Sequence, residues 1–264
     1  MIRRIIKYMG HQFHIRHRKG RGIHSPFLFE FVHEVLFNAS GVEVPQEILR
    51  IHRALRKDRT VIPEERLLDL GAGSTVDRSA ERTVRSFVRG SSVSPRTGAL
   101  LYRITRWFRP DMVLELGTGL GVSTLYLASG SPSVPLHSFE GHTERAAFAA
   151  SLVCRCGLEQ VSIHWGPLDR KLEEFLPRLS GRFVAFIDAN HRYEPVVRYV
   201  RMILSRAGTD GVILMDDIYW SDEMERAWKE VLSWPEVRMS VDLFHLGILF
   251  LRKDLQKIHL KINF

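Results

Sequence analysis

The chain has 264 residues, 45% of them hydrophobic, with a formal charge of +8 and an isoelectric point near 9.8. That much apolar material can bury a full core, which excludes an intrinsically disordered chain and a small disulfide-stapled scaffold. No apolar run reaches the roughly 18 residues of a membrane span, and the cationic start lacks the apolar core of a secretory signal, so a cytoplasmic protein is expected.

No acidic residue precedes Glu30. His11, His14 and His17 have a helical spacing that would suit a metal, but Arg16, Arg18, Lys19 and Arg21 surround them and oppose a bound cation. A solvated basic arm is the expected reading, one suited to phosphate-rich partners or a membrane surface. At Ser25-Pro26 an N-cap and a first-turn proline open a helix whose Phe27, Leu28, Phe31, Val32, Val35 and Leu36 recur at helical spacing. Its apolar face is expected to pack on the main domain or on a second subunit, giving a homodimer through the N-terminal helices; a substrate lid is the alternative. A further helix is expected over 44–56.

Residues 67–74, Leu-Leu-Asp-Leu-Gly-Ala-Gly-Ser, imitate a nucleotide loop. No second strand ending in an acid follows about 20 residues on, as a nucleotide-binding unit requires, and residues 76–89 are highly charged. An ordered surface loop is expected there. Residues 1–90 thus read as a basic arm and helical extension, and 91–264 as the main domain. That domain opens with Ser94-Pro95, a second cap-plus-proline signal, and a helix closed by Arg109-Pro110.

Residues 112–128 then read as strand, glycine loop and helix. Val113, Leu114 and Leu116 suit a buried parallel strand, and Gly117, Gly119 and Gly121 follow before a helix-forming run. Glycines allow the backbone to approach a ligand closely, and Glu115 just before them can accept hydrogen bonds. The third glycine of a dinucleotide fingerprint would fall on Val122; the pattern is instead Glu-x-Gly-x-Gly-x-Gly, which is similar to motif I of class I S-adenosylmethionine-dependent methyltransferases. Dinucleotide binding and a structural turn remain open at this point.

Downstream, strands over 134–140, 161–165, 183–188 and 212–216 alternate with helices over 144–156, 171–179, 194–205 and 223–233. This predicts an α/β, doubly wound, Rossmann-like fold with a mostly parallel sheet. Strands over 237–243 and 247–251 add an antiparallel C-terminal pair. Cys154 and Cys156 lie two apart on a helix, where their side chains diverge, so no disulfide is expected between them.

Ligands of such sheets sit beyond the carboxyl ends of the strands, and here those ends are acidic. Glu140, followed by Gly141, closes the second strand, where a carboxylate can take both ribose hydroxyls. Gly166, Pro167 and Leu168 form a turn able to face an adenine. Asp188 with His191 closes the fourth strand, and Asp216-Asp217 the fifth. Adjacent strands lie under about 5 Å apart, so Asp188, Asp216 and Asp217 can share Mg²⁺ or Ca²⁺. Alternatively Asp188 holds the cofactor's amine, Asp217 caps the next helix, and no metal binds.

The glycine motif, Glu140, the Asp188-Ala-x-x-x-Tyr193 segment and Asp216-Asp217-Ile218-Tyr219-Trp220, in this order, resemble the catechol and caffeoyl-CoA type O-methyltransferases. The likeness runs over 91–252; the segments at 22–27 and 71–74 resemble a little-characterised bacterial branch. The resemblance implies a seven-stranded sheet, with Glu115, Gly117, Thr118, Gly119 and Ser123 around the methionine part of S-adenosylmethionine. It further implies Glu140 on the ribose and Asp188 and Asp216 on a cation. Those families usually carry Asn at the place of Asp217 and Lys at that of His191. His191 would then be a base or a positioning donor toward a hydroxyl of a small-molecule acceptor. A nucleic-acid methyltransferase and a non-catalytic cofactor-binding or interaction module are the alternatives.

Overall fold

The computed structural model describes residues 24–63, 81–206 and 210–264. The basic arm with His11, His14 and His17, and the second glycine stretch at 67–74, lie outside the described residues. Helix α1, Pro26–Glu30, runs into a π turn at Phe31–Leu36 and is followed by α2, Gln46–Leu55. Short strands β1 (Val61–Pro63) and β2 (Glu81–Thr83) lead to α3 (Val84–Gly90) and α4 (Pro95–Phe108). The alternation then runs β3 (Met112–Leu116), α5 (Val122–Gly130), β4 (Leu136–Glu140), α6 (Thr143–Arg155), β5 (Val161–Trp165) and α7 (Leu168–Phe175). It continues as β6 (Phe183–Ile187), α8 (Tyr193–Arg206), β7 (Gly211–Asp216), α9 (Asp222–Ser233), β8 (Met239–Asp242), β9 (Leu246–Phe250) and β10 (Ile258–Lys261).

The chain divides into two compact units: Glu43–Leu179, and a second that joins the residues up to Val42 with Ser180–Phe264. In the first, β3, β4 and β5 are parallel neighbours, and β1 pairs antiparallel with β2. Helix α4 starts where Ser94 accepts from the Thr97 N–H ahead of Pro95, and stops at Arg109, whose φ of 50° is left-handed. It packs on α5 through a glycine from each helix. A Cβ on Gly98 would lie 2.6 Å from Tyr126 ring atoms, and one on Gly130 would lie 2.5 Å from the Tyr102 carbonyl. Helix α2 joins this pair through His52, whose Nδ1 lies 2.8 Å from the Tyr126 hydroxyl.

In the other unit the strand order is β10-β8-β9-β7-β6. β6 and β7 are parallel, β9 is antiparallel to both β7 and β8, and β10 runs parallel to β8. The β6 strand and all of β7 but its terminal Asp216 are buried, as strands covered on both faces must be. Helix α1 and the π turn pack on this sheet: the Phe27 and Phe31 rings meet Phe250 edge-on at 5.1 and 5.0 Å. That is the first of the two destinations expected for their apolar face.

The fold class agrees with the α/β expectation, with differences of detail. Among the described residues the strands of the two units, apart from the β1–β2 pair, number eight rather than seven. The extra one is β10, which follows the charged stretch 252–257 and carries only Leu260 as a buried strand residue. The charged run expected to be a surface loop contains α3, which buries Val84, Phe87 and Val88. Both cysteines are free, as expected. No helix of the described residues is long and apolar enough to cross a membrane.

Candidate active site

The glycine loop closes the carboxyl end of β3. Gly117, Gly119 and Gly121 have φ of 99°, 54° and 83°, a region that residues with a Cβ adopt only under strain. Gly121 is the N-cap of α5, so the loop ends at a helix N-terminus, where backbone N–H groups face outward. The Gly117 and Thr118 N–H groups both donate to the Phe139 carbonyl, at 3.0 and 3.1 Å, which ties the loop to β4.

Two carboxylates fix the loop in different ways. Glu115 is wholly buried, and its Oε2 accepts from Thr124 at 2.5 Å and from Ser138 at 2.6 Å. Ser138 has one proton and gives it to Glu115, so it accepts from Thr118 Oγ1 at 2.5 Å. Glu115 therefore braces the underside of the loop from within. Glu140 ends β4 with 7% of its surface exposed; its Oε2 accepts from the Gly119 N–H at 2.8 Å and its Oε1 from the His142 N–H at 2.9 Å. Burial raises the Glu140 pKa, against the opposing pull of these N–H groups, of the Gly141 backbone and of Arg145. Both oxygens keep a lone pair for a hydroxyl. Ser123 is buried in the first turn of α5.

The turn after β5 is tied to the same carboxylate residue, since the Gly166 N–H donates to the Glu140 carbonyl at 3.0 Å. Gly166 has φ 131°, Pro167 is exposed, and the half-buried Leu168 begins α7. The cluster at Glu115, Gly117, Thr118, Gly119, Glu140, Gly141 and Gly166 is thus one connected structure, and an adenosyl group fits its chemistry. The left-handed glycines leave the loop without side chains, and Glu140 offers acceptors toward a diol.

The other unit carries the second group of acids. His191 Nε2 lies 3.2 Å from Asp188 Oδ1, with the two side chains 21% and 16% exposed. Burial opposes a charged imidazole, but the hydrogen bond and charge of Asp188, followed by Asp217 and Asp216, outweigh it and raise the His191 pKa to about 9. The shift favours the protonated imidazole beside the Asp188 carboxylate, in which His191 is a donor. Asp216 is pushed well above the usual carboxylate range by burial and by the charges of Asp188 and Asp217. Asp217 does not cap the following helix; Ser221 does, accepting from the Met224 N–H at 3.1 Å. Among the described residues no group of three or more His, Cys, Asp or Glu is arranged to hold a metal ion. In this arrangement the partner of Asp188 Oδ1 is His191 Nε2.

Backbone strain concentrates at the same strand ends. Asn190, His191, Asp217 and Phe244 all have positive φ, of 65°, 42°, 51° and 72°. The Asp217 N–H donates to the His245 carbonyl at 2.7 Å, and Asn190 Nδ2 to the Tyr199 hydroxyl at 2.5 Å. Tyr219 donates its hydroxyl to Asp242 at 2.7 Å and stacks on Phe244. Trp220 is 47% exposed. Asp242, whose Oδ1 accepts from the Phe244 N–H at 2.9 Å, does not stand out in the sequence. Its signal is an acid at the end of a strand run, of a kind that turn capping shares with active sites. Phe87 also escapes notice there, hidden among arginines.

Comparison with known proteins finds similarity to methyltransferases over part of the chain. A family described as a methyltransferase domain matches residues 114–218. A catechol O-methyltransferase from Niastella koreensis is 33% identical over 132 residues, which are 48% of this chain. The chain spans only 58% of that relative's length. Among solved structures, the S-adenosylhomocysteine-bound methyltransferase of Podospora anserina has a TM-score of 0.58 at 17% identity, covering 88% of this chain and all of that one. An O-methyltransferase of Streptomyces achromogenes, crystallised with S-adenosylmethionine and involved in tomaymycin synthesis, has a TM-score of 0.52 at 22% identity, covering 61% of this chain and 82% of that chain. The structural likenesses establish the fold, and the matched relatives agree with the resemblance read from the sequence.

Proposed function

We propose that this protein transfers the methyl group of S-adenosylmethionine to a hydroxyl oxygen of a small molecule. The observation that carries the reading is the Gly119–Glu140 bond inside a loop of three left-handed glycines, within the stretch that matches the methyltransferase domain. Glu140 takes the ribose, the 117–121 loop and Ser123 border the methionine part, and Gly166, Pro167 and Leu168 face the adenine. When bound, the sulfonium would supply an activated methyl: a C–O bond would form as the C–S bond breaks, a neutral thioether would leave, and the hydroxyl proton would pass to solvent. The remaining task of the chain is to orient the acceptor oxygen and stabilise it without its proton. His191, held by Asp188 at 3.2 Å, offers a positive N–H donor for such an oxygen.

A cation shared by Asp188, Asp216 and Asp217 is a second reading, favoured by the mutual charge that raises the pKa of Asp216. Calorimetry with S-adenosylmethionine and S-adenosylhomocysteine tests the first step, and labelled methyl transfer to a panel of phenols and catechols the second. Absence of cofactor binding refutes the proposal. Loss of transfer on chelation, restored by Mg²⁺, selects the second reading; transfer untouched by chelator and by Asp216→Ala removes it.

A further inference from the structure

Phe87 lies outside the strand–glycine–helix unit, on α3, yet it closes on the cofactor loop. Its ring is 6% exposed, and a Cβ built on Gly119 would fall 3.1 Å from Phe87 Cε1 and 3.4 Å from Cζ. Two guanidinium groups hold the ring, that of Arg82 at 5.1 Å and that of Arg145 at 4.8 Å from its centroid. Arg145 belongs to α6, which begins directly after the Glu140 turn, and its charge favours the ionised form of Glu140. Glu140 in turn receives the Gly119 N–H. Ring, glycine, carboxylate and guanidinium therefore form a closed circuit around one peptide group.

We propose that Phe87 is a positioning residue for the cofactor. By lying against Gly119 it prevents the loop from relaxing away from Glu140, and so sets how tightly S-adenosylmethionine is held. The inference rests on the proposed function, since it assumes that this loop is the cofactor's. It gives the helical extension a part in ligand binding, through a residue whose charged neighbours make its segment read as surface. Gly119 has a second reason to lack a side chain, beyond its φ of 54°: the ring occupies the space.

The test is calorimetric titration of S-adenosylhomocysteine into the full chain and into Phe87→Ala, Phe87→Leu and Phe87→Tyr, each checked for folding by circular dichroism and thermal melting. Phe87→Ala is expected to raise Kd about tenfold or more, Phe87→Leu less, while Phe87→Tyr keeps the ring and binds within about twofold. A double variant with Glu140→Gln separates a positioning role from general support of the fold. If Phe87 acts through the Gly119–Glu140 bond, the double variant loses distinctly less affinity than the product of the single losses. A folded Phe87→Ala with unchanged Kd, or strictly multiplicative losses, overturns the inference alone; should Phe87→Ala not fold, Phe87→Leu is read by the same criteria. A wild-type chain that does not bind the ligand removes the proposed function, and this inference with it.

Discussion

His52 makes the stability of the first unit depend on pH in a calculable way. Its side chain is 1% exposed, its Nδ1 meets the Tyr126 hydroxyl, and its Nε2 has no hydrogen-bond partner among the described residues. Burial, then the positive charge of Arg56, lowers its pKa from 6.5 to about 4. Because the unfolded chain binds this proton more readily, the stabilisation is fully present above pH 6.5 and is lost as pH falls toward 4. Every tenfold difference in proton affinity between the folded and unfolded chain is worth about 1.4 kcal/mol, and some loosening around the charged ring is expected, so the loss is about 2–3 kcal/mol. His137, also lowered to about 4 by burial and by His164 and Arg178, titrates in the same window, so wild type alone is not a clean measure. The measurement is therefore a difference: urea unfolding of wild type and His52→Gln at several pH values from 7.5 to about 4. The variant keeps a hydrogen-bonding group for Tyr126 but does not titrate, and its stability should fall less steeply by that 2–3 kcal/mol. Parallel curves would refute the reasoning and mean that the His52 ring is solvated.

Glu140→Gln sets an amide where two N–H donors converge, and is expected to weaken S-adenosylhomocysteine binding by about 10- to 100-fold, read by calorimetry. Gly98→Ala pushes a Cβ into the buried Tyr126 ring and should cost about 1–3 kcal/mol despite the better helix propensity of Ala, lowering Tm by several degrees in a thermal melt. Asp188→Asn and His191→Gln each break the ion pair and are expected to lower kcat by about 10²-fold with little change in cofactor affinity. If the pair acts as a unit, steady-state kinetics will show the double variant little worse than either single one.

The parts of this fold that were legible in the sequence are those whose chemistry is local. Gly117, Gly119 and Gly121 announce themselves because left-handed dihedrals need glycine, and Ser94-Pro95 marks a helix start without reference to anything distant. Glu140 and Asp188 stand out as acids at the ends of apolar runs. What stayed hidden depends on partners far away in the chain. His52 and Tyr126 meet across 74 positions, and nothing near either predicts the pairing. Phe87 is buried by arginine side chains, so its neighbourhood reads as solvated when the stems and faces of those arginines are what cover it. Strand β10 shows almost no apolar alternation, because its register with β8 supplies what its own side chains do not. At His191 the sequence left base and donor open, and the carboxylate beside it favours the donor.

The exchange of glycines between α4 and α5 limits where the 117–121 loop can move. With Gly98 receiving Tyr126 and Gly130 seated against Tyr102, the two helices interlock over one turn of each, and neither can slide or tilt there without driving side chains into backbone. Amide protons of α5 should therefore exchange with solvent only when the pair opens together, slowly and in concert. Any adjustment to the proposed cofactor would then fall within the few peptide groups between Leu116 and Val122, a short hinge on a rigid mount, registered locally rather than spread through the sheet.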